Sequence, residues 1–141
     1  MSHRTRARGF SLIELLLVLA LIGIISAIAI PSFLGQRRRA RIIGDAISNA
    51  KVLQMSLETR KAENGLYAAA GTYSWAADGS ATTGPALIPA FTPQGNSKMN
   101  YSVVVDAGGL TYTLTVFDPS ISATTVAYQT NQAGAELARL K

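Results

Sequence analysis

The stretch that most limits what this chain can fold into runs from Leu15 to Ile30. These are sixteen residues without a charge, broken only by Gly23 and Ser26. Extended to Phe10 and Leu34, the apolar segment is long enough to span a bilayer, which takes ~20 mostly apolar residues. One residue is out of place: Glu14 stands near the N-terminal end of the run. An ionisable group inside a membrane segment is expensive, which makes Glu14 a functional candidate.

The run continues into a helix of a different design. Phe10 to about Glu63 reads as one helix, on the order of 80 Å long at 1.5 Å per residue. Gly23 and Pro31 are its weak points, because proline deletes a ladder hydrogen bond and clashes with the preceding turn. A kink or local melting is expected across Gly23–Pro31. From Ile42 on, Ile43, Ala46, Ile47, Ala50, Leu53 and Leu57 recur as one apolar stripe, with Asp45, Asn49, Gln54, Glu58, Arg60 and Lys61 mostly off it. The helix is therefore greasy all round at first and amphipathic later, as suits a segment that leaves a membrane or bundle and packs one face on a small domain. Asn64-Gly65 ends it, since glycine tolerates the left-handed C-cap conformation.

Residues 65–98 read as a long connection rich in Ala, Gly, Ser, Thr and Pro, and a loop of that length is usually functional or covers a sheet edge. Its Tyr67, Tyr73, Trp75 and Phe91 are read as packing over a sheet. A hairpin follows, Tyr101–Asp106 and Leu110–Asp118 around Ala107-Gly108-Gly109. Leu110, Tyr112, Leu114 and Val116 are expected to face the helix stripe, and Thr111, Thr113 and Thr115 to face solvent. Asp118-Pro119 makes a turn, Thr124–Thr130 is a third strand, and residues 131–141 are either a short helix or a mobile tail. The fold class is thus α+β, a long helix packed on a small antiparallel sheet.

Charge and composition exclude several functions. Of thirteen basic residues, Arg4, Arg6 and Arg8 precede the apolar run, and Arg37, Arg38, Arg39 and Arg41 follow it. The rest of the chain, from Ile42, holds six basic and seven acidic residues, so the net charge of +5 says nothing for nucleic-acid binding by the globular part. Without cysteine there is no disulfide, thiolate catalyst or cysteine metal site. The one histidine, His3, lies before the apolar run, and no Ser/His/Asp set follows it. No catalytic residue, cofactor or metal is expected.

Seen with its flanks, the apolar run resembles the class III signal of type IV pilins and the pilin-like pseudopilins. The residues carrying the resemblance are the short basic leader 1–9, the Gly9–Phe10 junction, Ser11-Leu12-Ile13-Glu14-Leu15-Leu16, and Pro31. The match is specific over Arg8–Pro31 and fades beyond about Gly65, where Asn64-Gly65-Leu66-Tyr67 is still pilin-like. The resemblance implies cleavage after Gly9 by a prepilin peptidase, N-methylation of Phe10, and retention of Glu14 for assembly. It implies a division into leader (1–9), long helix (10–64) and head (65–141). The head would hold an αβ-loop (65–98), a β-meander (99–130) and a tail (131–141). Many pilins close a C-terminal loop with a disulfide, and this chain must hold its tail by packing. Some major pseudopilins bind calcium through a loop of clustered acidic residues. Here Asp118–Gln132 contains one acidic residue, too few for a tight site.

The function so implied is that of a structural subunit of a helical bacterial filament. The subunit spans the inner membrane once before assembly and then enters an extracellular pilus or, as a pseudopilin of a type II secretion system, a periplasmic one. Its partners would be other copies of itself, the prepilin peptidase, a platform membrane protein, an assembly ATPase, and membrane lipid. The arginines before the run favour a cytoplasmic N-terminus and those after it oppose that, by the positive-inside bias; the family is N-in. Physically, a carboxylate in low dielectric must be paired or protonated, and the amino group of a cleaved Phe10 on a neighbouring subunit is the natural partner of Glu14. The rival from another class is a signal-anchored periplasmic binding domain, which predicts no cut after Gly9. The filament's task, whether motility, adhesion, DNA uptake or secretion, is not written in the sequence.

Overall fold

The computed structural model describes residues 9–78, 80, 82–96 and 98–140. The leader therefore lies, except for Gly9, outside the described residues, with His3, Arg4, Arg6 and Arg8. Contacts divide the chain after Arg37 into an N-terminal unit and a C-terminal unit.

One helix, α1, runs Leu12–Asn64. It is continuous through Gly23 and Pro31. It stops where the sequence predicts: the Gly65 amide bonds back to the Lys61 carbonyl at 2.7 Å, and Gly65 has φ of 79°, a left-handed conformation that favours glycine.

The C-terminal unit carries five strands: β1 (Gly71–Trp75), β2 (Asn100–Val105), β3 (Tyr112–Phe117), β4 (Val126–Asn131) and β5 (Glu136–Arg139). They form an antiparallel meander in chain order. Two expectations are corrected here. The connection 65–98 is not merely a loop: it contributes the edge strand β1, registered Trp75↔Tyr101 and Gly71↔Val105 on β2, and a short helix α2 (Gly84–Leu87). The tail 131–141 is neither helix nor free end, because Glu136–Arg139 pairs with β4 as the other edge. Both differences share a cause. Short edge strands gain their hydrogen bonds from a neighbour, so their own sequences carry little alternation.

The core lies between the sheet and the later part of α1. Ile42, Ala46, Ala50, Leu53 and Leu57 are buried against Tyr101, Val103 and Val105 of β2, Tyr112, Leu114 and Val116 of β3, and Tyr128 of β4. The expected inward face of β3 is inward except for Leu110, which lies before the strand and is exposed. The threonine face departs from expectation at Thr115, which is buried and accepts a hydrogen bond from Gln129 Nε2 at 2.9 Å. The helix stripe is shifted too. Ile42 is in the core, whereas Ile43 and Ile47 are only half-buried.

The aromatic residues pack as the sequence suggests. Phe91 stands edge-on between Trp75 (5.6 Å) and Tyr101 (5.3 Å), geometries preferred by the ring quadrupoles. Gly84 closes this cluster: a Cβ there would sit 2.2 Å from the Trp75 ring, so only glycine allows α2 to approach the indole.

Candidate functional site

The candidate site begins where α1 begins. Ser11 is the last residue before the helix, and its carbonyl accepts the first helical bond, from Leu15 N at 3.3 Å. Glu14, three residues on, turns back so that Ser11 N donates to its Oε2 at 2.8 Å. This is the carboxylate half of a capping box, and Ser11-x-x-Glu14 is its sequence signature. The placement is favourable on two counts. It satisfies one of the amides that a helix start leaves without a partner, and it sets a negative charge at the positive end of the helix dipole. Gly9, Phe10, Ser11 and Glu14 together line one hollow at the surface of the unit.

What surrounds this carboxylate is apolar and uncovered. Phe10 is 85 % exposed and Leu19 63 %, and every large aliphatic side chain from Leu12 to Leu34 is likewise open. Among the described residues, one helix is long and apolar enough to cross a membrane. Its best 18-residue window has a mean hydropathy of 2.8 and none of it is buried. A helix apolar on all sides is stable only in lipid or among other helices. Glu14 is the single charge between Phe10 and Gln36.

The second half of α1 is fastened instead by polar clamps, at residues whose polarity alone places them off the buried stripe. Asn49 is buried. Its Nδ2 donates to the Gln94 carbonyl at 2.7 Å, and its Oδ1 accepts from Gln94 N at 2.8 Å. Gln54 is buried too, with Nε2 donating to the Asn131 carbonyl at 2.9 Å and to Thr130 Oγ1 at 3.4 Å. The spacing contained the signal: Ala46, Asn49, Ala50, Leu53, Gln54 and Leu57 alternate by three and one, a helical seam with two amides in it. At the helix end, Tyr67 Oη donates to Glu58 Oε1 at 2.6 Å, and Arg60 Nε donates to the Tyr67 carbonyl at 3.0 Å. Burial and the Glu58 carboxylate push the Tyr67 phenol well above its ordinary pKa. Burial raises Tyr101 and Tyr112 to about 12.

No group of three or more His, Cys, Asp or Glu able to hold a metal occurs among the described residues.

Comparison with known proteins points to the same N-terminal segment. Residues 4–30 match the family model described as the prokaryotic N-terminal methylation motif. The chain is 42 % identical over 62 residues to the type IV major pilin protein PilA of Myxococcus xanthus, covering 44 % of this chain and 28 % of that one. It is 42 % identical over 72 residues to a fimbrial protein of Moraxella nonliquefaciens, covering 51 % and 45 %. Against the type IV major fimbrial protein FimA of Dichelobacter nodosus it is 33 % identical over 105 residues, covering 72 % and 67 %.

The chain belongs to the type IV pilin family.

Pilins are structural proteins and not enzymes, and an α1 packed on an antiparallel sheet is the pilin arrangement. The match spans less than half the length of the Myxococcus pilin and of the Moraxella fimbrial protein. No solved structure gives a significant match.

Proposed function

We propose that this pilin is made as a precursor and serves as the structural subunit of a type IV pilus-like filament. The observation that carries the proposal is the uncovered apolar wall of α1, with Glu14 as its one charge at the end that carries the methylation motif. Prepilin peptidase cuts after Gly9 and Phe10 is N-methylated. The subunit waits in the inner membrane as a single span, N-terminus cytoplasmic. A platform membrane protein and an assembly ATPase then draw it into the filament, where the apolar walls of many copies cover one another. Glu14 exchanges its intramolecular partner, the Ser11 amide, for the amino group of Phe10 on a neighbouring copy, and this pairing favours one axial offset between subunits. Bending at Gly23 and Pro31 accommodates the change of surroundings, because freed backbone groups find partners in neighbouring chains.

The test is to shear cells and take the intact mass of the protein in the sheared and membrane fractions. A mass lacking residues 1–9 and carrying one added methyl, abundant in the sheared fraction, is expected of an extracellular pilus. The same mass confined to the membrane and periplasm assigns the protein to a type II secretion pseudopilus. An uncut chain in cells with active peptidase overturns the filament reading in favour of a signal-anchored binding domain.

A further inference from the structure

A cleft in the C-terminal unit brings together charged residues that lie far apart in sequence. Arg38 and Arg41 are on one face of α1, three residues apart. Lys98 stands just before β2, and Asp118 and Ser120 belong to the turn after β3. These residues, with Ile42 and Asn96, line a cleft of about 340 Å³. Its wall is pinned by a hydrogen-bonded chain. Arg38 Nη2 donates to Ser120 Oγ at 3.1 Å, and the same hydroxyl donates to Asp118 Oδ1 at 2.6 Å. Asp118 Oδ1 also accepts from Ser120 N at 2.9 Å. Asp118 is only 2 % exposed, and its Oδ2 is buried without a hydrogen-bond partner.

A buried carboxylate with an idle oxygen is costly unless countered by charge. Here it offsets one of three lining cations, and the cleft keeps an excess of two positive charges. That excess, with two guanidinium groups and an ammonium among the lining residues, fits an anion with several charged oxygens. Guanidinium grips phosphate oxygens in pairs, and lysine adds a point charge.

We propose that this cleft binds a phosphate ester through Arg38, Arg41 and Lys98, with Asp118 and Ser120 holding Arg38 in position. Two sources supply that chemistry: the headgroup of a membrane phospholipid, or a soluble phosphate ester. Arg38 lies four residues beyond Leu34, where the apolar run ends. In a chain anchored by that run, bilayer phosphates are the nearest dense supply. The site goes beyond the filament reading; its lipid source alone rests on the membrane anchoring proposed there.

Full-length protein in neutral detergent is titrated with glycerol phosphate by calorimetry. In a second arm, protein in phosphatidylcholine nanodiscs containing phosphatidylglycerol is released, and retained lipid is read by native mass spectrometry. Binding in the first arm alone assigns a soluble ester, binding in the second alone a headgroup, and binding in both the shared phosphate. Lys98→Gln is expected to weaken binding about tenfold, whereas Lys51→Gln, on an exposed helix position, leaves it unchanged. Fluorescence of Trp75 confirms that both variants fold. Equal weakening by the two substitutions, or no binding in either arm, overturns the proposal.

Discussion

The two halves of α1 share a backbone and differ in everything around it. From Leu12 to Leu34 the helix buries none of its most apolar window. From Ile42 to Leu57 it buries seven residues, five apolar and two amides. The first half is apolar on all sides and keeps its single charge at the tip. The second half is apolar along one seam, and that seam is fastened to loops and strands by Asn49 and Gln54. The difference teaches how one helix serves two solvents. A helix apolar all round has no preferred face, so only lipid or other copies can satisfy it. A helix with a seam specifies a unique partner surface, and the amides in the seam fix its register against that surface. Substitutions in the first half are therefore expected to change assembly and leave the head's stability alone, and those in the second half to do the reverse.

The sharpest break in that comparison is Glu14→Ala. If Glu14 pairs with an amino group in the filament core, its loss costs on the order of 3–5 kcal/mol per subunit. Sheared filaments should disappear while the melting of the head, followed by Trp75 fluorescence, stays put. Filaments at normal yield would show that the charge acts only as a helix cap.

Leu53→Ala probes the other half. Leu53 is fully buried, and its truncation should destabilise the head by about 2–5 kcal/mol in chemical denaturation of the full-length protein. Leu19→Ala, at a position 63 % exposed, should move head stability by no more than about 0.5 kcal/mol. Comparable losses from both would erase the distinction between the halves.

Gln54→Ala tests whether the seam amides hold register. It removes the donor to the Asn131 carbonyl and to Thr130 Oγ1, and stranding such acceptors should cost about 1–3 kcal/mol. Amide exchange of β4 should accelerate more than that of β1.

The last test is alkaline. Tyr101 and Tyr112 have pKa values raised by burial to about 12, against an ordinary value of 10.0. The folded state thus holds these protons after the unfolded chain has released them. Their contribution to stability is complete below pH 10 and is lost as pH rises towards 12. Phenolate absorbance should show late-titrating tyrosines, one fewer in Tyr101→Phe.

Much of this was legible without coordinates, and the boundary is physical. The apolar run, the Glu14 anomaly, the helix stop at Gly65 and the alternation Tyr112-Leu114-Val116 are local patterns, and each follows from its own residues. The capping box is also local: Ser11 and Glu14 are three apart, and the bond between them could have been read from that spacing. Asn49 and Gln54 read as outward by their polarity, although their helical phase puts them in the seam. Periodicity outweighs polarity there, since a buried amide with partners costs little. Edge strands β1 and β5 and the buried Thr115 depended on neighbours that no local pattern names. The cleft is the extreme case. Arg38, Lys98 and Asp118 come from three distant segments, and only the packing of the meander on α1 sets them around one space. The sequence by itself determined that this chain has a helix needing two different environments and a charge at its tip. The tertiary structure decided which polar groups are buried and which distant charges meet, because those depend on contacts between segments rather than on the residues within one.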